Sequence, residues 1–167
     1  MLKINRKTDY AVRVLLALAK RPAGTLSSTA EIRKEMLIPP ALLQRIVAEL
    51  SAGNFVNTQA GRDGGITLAH LPEKINLLQV VEHFEGTIYL SDCVTKPGEC
   101  PFDRRCPVRC RWVRLRNVLR AELKQTTFQD LVDDAIAIRS GQMAVAPFAL
   151  TTDPSSTAQV NTLDCLA

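Results

Sequence analysis

The sequence predicts a mainly α fold: a winged helix-turn-helix unit with a small β-hairpin wing, followed by one long helix suited to dimerisation. Three observations predict it. Two short helical segments are separated by the tight break Leu37-Ile38-Pro39-Pro40. Two strand-like runs, 55–58 and 66–68, flank a glycine-rich turn at 59–65. Val108, Trp112, Leu115, Leu119 and Leu123 then recur at steps of four and three, one apolar stripe on a long helix.

Each element follows from local signals. Asn5 is a good N-cap for a first helix ending at Ala19, with Val12, Leu15, Leu16 and Ala19 on a broad apolar face. Ser28 and Glu31 have capping-box spacing at the start of a short second helix that runs to about Met36. A third helix begins near Pro40, carries Leu43, Ile46, Val47 and Leu50, and ends by Gly53. Two short helices joined by a tight turn form the arrangement whose second helix enters the DNA major groove. The hairpin that follows reads as a wing, with Arg62 and glycines at its tip suited to approaching a phosphate backbone. A helix over 76–85, the long helix from Pro107 to about Lys124, and a closing helix over 127–138 complete the pattern. The chain therefore divides into a DNA-binding unit at 1–85, a sensor loop and dimerisation helix at 86–139, and a flexible tail at 140–167.

Charge points the same way. Residues 1–70 hold ten Lys/Arg against five Asp/Glu, a net +5, whereas 71–167 hold eleven against twelve. The first half is the one suited to a polyanion. At 46% hydrophobic and 23% charged, 167 residues suffice for a small domain plus a dimerisation helix. No apolar run approaches the roughly 20 residues of a membrane span, and 1–13 has no signal-peptide core, so the expected location is cytoplasmic. No nucleophile–base pair or phosphate loop stands out, so no enzyme activity is expected.

Four of the five cysteines fall between Cys93 and Cys110, with six, five and three residues between them. Zinc sites favour paired knuckles two to four residues apart, and only Cys106 and Cys110 fit that. A loose loop of thiolates closed by a helix suits an iron–sulfur cluster better. Pro107 marks the helix start, so Cys106 caps an N-terminus whose partial positive charge favours thiolates. Arg104, Arg105, Arg109, Arg111, Arg114, Arg116 and Arg120 crowd this region and read first as a solvated helix face.

With TDYAVR from Thr8, GRDGGITL from Gly61, and the C-x(6)-C-x(5)-C loop, residues 1–137 resemble the IscR/NsrR/RirA family of bacterial winged-helix repressors and activators. The resemblance implies a homodimer whose long helices pack together, binding double-stranded DNA at dyad-symmetric operators. It implies an iron–sulfur cluster, 4Fe-4S in preference to 2Fe-2S, held by Cys93, Cys100 and Cys106. It also implies a regulator that senses nitric oxide, redox state or iron and cluster supply. Asp9 matches the aspartate that the partner subunit supplies in NsrR-type sensors. Where IscR-type proteins have a histidine, this chain has Arg109, which stays protonated and cannot ligate. Cys110 is not part of the usual triplet; one turn after Cys106, it competes with Asp9 for the fourth position. At the wing, Ala60 stands where the family often has arginine, leaving Arg62 to replace it.

The candidate DNA-contacting set is Ser28, Thr29, Pro40, Ala41, Gln44, Arg45, Gly61, Arg62 and Gly64, with Gln44 and Arg45 the side chains best suited to base edges. Two rival readings remain: a zinc-bound regulator using Cys93, Cys100, Cys106 and Cys110, and an iron–sulfur electron carrier. An electron carrier needs neither a wing nor a helix-turn-helix.

Overall fold

The computed structural model describes residues 4–61, 64–96, 98–102 and 105–142. Seven helices and one hairpin occur among them: α1 (Arg6–Ala19), α2 (Thr29–Met36), α3 (Pro40–Ala52), β1 (Val56–Gln59), β2 (Gly65–Leu68), α4 (Leu77–Glu85), α5 (Asp92–Thr95), α6 (Pro107–Gln125) and α7 (Phe128–Arg139). A 3-10 turn at Pro72–Lys74 and the single turn α5 carry no signal in the sequence pattern.

α1 is the hub. Ala11, Val14, Leu15, Ala17 and Leu18 are buried, and α2, α3, α4 and α7 all pack around it. Asn5 Oδ1 accepts from the Thr8 N–H at 2.9 Å, the cap its residue type predicts. Ser28 also caps α2, but its hydroxyl accepts from the Ala30 N–H at 3.2 Å rather than from Glu31, so the expected box is a simple cap. The turn into α3 puts Leu37 at φ 53°, a left-handed conformation unusual for leucine. α3 then buries Leu43, Ile46, Val47 and Leu50 on its inner face. Each such side chain contributes about 1.5–3 kcal/mol by leaving water.

The hairpin is antiparallel, pairing Val56 with Leu68 and Gln59 with Gly65. It is fastened to the helical body by Ser27, whose N–H and C=O both pair with Ile66, at 3.0 and 2.9 Å. This bridge explains Gly65, because a Cβ there would lie 2.4 Å from the Ser27 carbonyl oxygen. At the turn, Gly61 has φ 119°, which only glycine adopts readily.

The chain after α6 returns to the first half. Phe128 and Val132 of α7 join the same hydrophobic cluster as Val14, Leu15 and Ile46. Backbone bonds from Leu77 N–H to Thr126 O (3.0 Å) and from Phe128 N–H to Ile75 O (2.9 Å) pin it there. Thr127 and Asp130 form a true capping box at the start of α7. The Thr127 hydroxyl and N–H both donate to Asp130 Oδ2, at 2.7 Å, and hold the carboxyl below the ordinary carboxylate range. Ser140 caps the end of α7; of the predicted tail, 140–167, residues 143–167 lie outside the described residues.

α6 differs from every other long helix here: none of its 19 residues is buried. Its predicted stripe divides. Leu119 and Leu123 turn toward Ile4, Val81 and the 85–92 segment, lining an open groove of about 710 Å³. Val108, Trp112, Leu115 and Val118 face outward at 52%, 37%, 50% and 52% exposure. The outward seam therefore takes in Val118, and the sequence-predicted Leu119 and Leu123 belong to the body side.

Candidate DNA-reading face and cysteine loop

α2, α3 and β1 enclose an open groove of about 580 Å³ that reaches the core side chains Leu43 and Val47 of α3 at its base. Thr29 and Pro40 line it with Gln44, and all three are exposed. Of the remaining candidates on this unit, Ala41 and Arg45 lie one helical turn apart on the exposed surface of α3. Ser28 is half-buried by its capping role. At the wing, Gly61 is exposed and Gly64 half-buried, whereas Arg62 lies outside the described residues. A Cβ at Gly64 would come within 2.3 Å of the Gln59 carbonyl oxygen, so its part is to let the turn close.

The groove also gathers Arg33, Ser51 and Thr58, which the sequence reading did not single out. The signal was present. Arg33 is four residues after Thr29 on α2, and Ala48 and Ser51 follow Gln44 at steps of four and three on α3. Thr29 and Arg33 of α2 and Gln44 and Ser51 of α3 together line the groove with hydrogen-bonding groups and one positive charge.

The last turn of α3 is clamped from behind. Lys7 Nζ lies 3.0 and 3.1 Å from the two Glu49 carboxylate oxygens and 5.5 Å from the Phe84 ring centroid. His83 Nε2 sits 3.0 Å from the Glu49 carbonyl oxygen. A carbonyl only accepts, so His83 carries its proton on Nε2 there. Gly53 makes room: a Cβ would fall 2.7 Å from the Phe55 ring and 2.9 Å from His83 Cε1. The other histidine, His70, contacts Asn54 Nδ2 at 3.2 Å. Both imidazoles are thus engaged in the first half, away from the cysteines.

The cysteine loop is built on two helix starts. Cys93 lies in α5, and Ser91 Oγ is 3.3 Å from its sulfur. Cys106 is the N-cap residue of α6, with Pro107 in the first turn. Arg109 Nε donates to the Cys93 carbonyl oxygen at 3.0 Å and so fastens α5 against the N-terminal turn of α6. Cys93, Cys100, Cys106 and Cys110 are all free thiols, half-buried. Among the described residues, no three of His, Cys, Asp and Glu converge as a metal-holding group. Cys106 and Cys110 stand at the N-terminal end of α6, where the helix favours the thiolate form of cysteine.

Asp9 is on another element. It sits in the first turn of α1, where its carboxylate pairs with Arg13 at 2.8 Å and its side chain is 48% exposed. The turn around it is fixed by Glu85, which accepts from the Asn5 N–H at 3.0 Å and from the buried Thr8 hydroxyl at 2.5 Å. Burial works against the charged form of Glu85. The bonds from Thr8 and Asn5, with the nearby Lys7 charge, outweigh it and hold the carboxyl below the ordinary range.

The arginines of α6 do more than face solvent. Besides Arg109, Arg120 Nη1 pairs with Glu82 Oε1 of α4, both partly buried. Among the described residues, no helix is long and apolar enough to cross a membrane.

Comparisons with known proteins agree with this architecture. A sequence profile for the Rrf2 family, described as "Iron-dependent Transcriptional regulator", matches residues 4–134. The NsrR regulator of Bacillus licheniformis is 30% identical over 139 residues, covering 83% of this chain and 97% of that protein. NsrR of Shouchella clausii is 32% identical over 139 residues, covering 78% and 89%. Among solved structures, CymR (YrzC), the global cysteine regulator of B. subtilis, superposes with a TM-score of 0.67 at 26% identity, covering 80% of this chain and 98% of CymR. T. potens IscR gives a TM-score of 0.65 at 21% identity, covering 87% and 94%, a likeness of fold. These relatives are transcriptional regulators and not enzymes.

Proposed function

The chain belongs to the Rrf2 family of transcriptional regulators, and from that premise we propose that it is a homodimeric, iron–sulfur-dependent DNA-binding regulator acting in the cytoplasm. Cys93, Cys100 and Cys106 would hold the cluster, preferentially 4Fe-4S. The observation that carries this is the Arg109–Cys93 bond: it seats one thiol-bearing turn against the helix start that Cys106 caps. This neighbourhood supports a reading in which the Cys93 and Cys106 thiolates share the positive end of α6. The similarity to NsrR supports a nitric-oxide or redox signal. When bound, the cluster supplies labile iron–ligand bonds that such signals break.

The fourth position is open to two residues. In one arrangement Asp9, in the first turn of α1, comes from the partner subunit, as its match to NsrR-type sensors suggests. A carboxylate oxygen is harder than sulfur and so the easier ligand to displace from a thiolate-rich iron. In the other, Cys110 completes the set from α6, one turn after Cys106.

On the DNA side, a dimer presents one α3 per half-site of a dyad-symmetric operator, with Gln44 and Arg45 at base edges. Ser28, Thr29, Pro40, Ala41, Gly61, Arg62 and Gly64 then serve the backbone and the approach of the wing. Outward Val108, Trp112, Leu115 and Val118 form the dimer seam.

The deciding experiment is the absorption spectrum of anaerobically purified protein with iron and sulfide assays. Iron and sulfide in equal amounts, with a visible cluster band lost on exposure to nitric oxide, is the expected result. A colourless protein with stoichiometric zinc would favour the second reading, in which all four loop cysteines bind zinc; the half-buried Cys106–Cys110 pair on one helix face supports that alternative.

A further inference from the structure

The three successive polar ties on α4 join elements that would otherwise work separately. Glu82 pairs with Arg120 of α6, His83 donates to the last turn of α3, and Glu85 holds the start of α1. Arg120 is fourteen residues beyond Cys106 on one continuous helix, about 21 Å along its axis. Glu49, which His83 and Lys7 grip, is five residues beyond Gln44 on α3, about 7 Å along that axis.

We propose that Glu82 and His83 are positioning residues that carry the state of the cysteine-bearing helix to the recognition helix. The inference rests on the cluster-dependent reading above and adds the route by which DNA affinity responds. A helix moves as a rigid rod, so a small shift or rotation of α6 about its cysteine end reaches Arg120 undiminished. The Arg120–Glu82 pair is partly buried, at 34% and 27% side-chain exposure, so it resists sliding more than a solvated pair would. The next residue on α4 is exposed but contacted on several sides. The His83 ring is edge-on to Phe55 (5.5 Å, 70°) and to Phe84 (5.3 Å, 76°), and Gly53 abuts it. Its Nε2–H shares the Glu49 carbonyl with the Gly53 N–H, which lies 2.9 Å away. Turning α4 therefore either drags the end of α3 or breaks that bond. Shifts of about 1–2 Å at such helix contacts are typical of switching proteins. The proposal requires a second arrangement, with the His83–Glu49 bond broken or α3 shifted, as the bistable element of the coupling.

The test uses full-length protein and a dyad-symmetric duplex selected from a random pool by the cluster-loaded wild type. Operator Kd is measured for the cluster-loaded and chelator-stripped forms, and their ratio reads the coupling. The expected wild-type ratio is about tenfold or more. Glu82→Arg and Arg120→Glu should each bring it near one, and the charge-swapped double variant should restore it. His83→Phe, which fills the same space without donating, should lower the ratio while leaving the cluster spectrum unchanged. Thermal unfolding identifies any variant that fails to fold; Glu82→Gln is then the milder substitute, with the same expectation. A wild-type ratio of tenfold that the folded single variants retain overturns this inference alone. A wild-type ratio of one overturns the cluster-switch reading, and this route with it.

Discussion

α3 and α6 are both amphipathic helices opened by proline, yet one is finished within its own chain and the other is not. α3 sends Leu43, Ile46, Val47 and Leu50 into a core shared with α1 and α7, and keeps Gln44 and Arg45 outside. α6 leans on α4 and α5 and leaves an apolar seam in water. The first half is thus packed within its own chain, with Phe128 and Val132 of α7 completing its core, whereas α6 keeps an exposed apolar face. That difference fits the proposed dimer, in which α3 is seated in the core of its own chain and α6 meets the partner.

The contrast is broken most directly at the seam. Leu115→Asp with Val118→Asp should give monomers by light scattering and leave the helical circular dichroism of the first half intact, because four side chains per dimer lose about 1.5–3 kcal/mol each. A dimer that persists would show that α6 is completed elsewhere. On α3 the inner face should matter to folding alone: Ile46→Ala should lower stability by about 2–5 kcal/mol in chemical denaturation, without changing oligomeric state. On its outer face, Gln44→Ala should leave stability unchanged and relax base preference by about 1–3 kcal/mol per half-site, read from binding to a panel of single-base operator variants. At the entry to α3, Leu37→Gly should raise the unfolding midpoint slightly, by up to about 1 kcal/mol, since glycine relieves the left-handed backbone and the leucine is 83% exposed.

The smallest effect concerns pH. The Glu85 carboxyl is depressed in the folded state, so its contribution is complete above the ordinary carboxylate pKa. It is lost as pH falls through the lower folded value. Amide exchange at Thr8 and Asp9 should accelerate across that acidic window before the rest of α1 does, and Glu85→Gln should remove the pH dependence.

Much of this molecule was legible in the chain, because local rules act over a few residues. Caps at Asn5, Ser28 and Thr127, the proline at position 40, the glycine-rich wing turn and the helical periodicities fall where the elements begin, bend and end. The four clustered cysteines stood out by residue type and spacing, whereas Asp9 was singled out only by the resemblance of its TDYAVR stretch to the family. Contacts between distant segments were not. Nothing near Ser27 announces that it pairs with Ile66, nor does local pattern send Phe128 into the core of the first half. The division of the α6 stripe, with Leu119 facing the body and Val118 facing out, depends on where α4 lies rather than on period. The arginines of that helix looked like a solvated face, and Arg109 and Arg120 became ties only once Cys93 and Glu82 were brought beside them. Short-range propensity and hydrophobic period determined the parts. Which parts touch, and hence which charges pair across them, was decided by the packing of helices far apart in sequence.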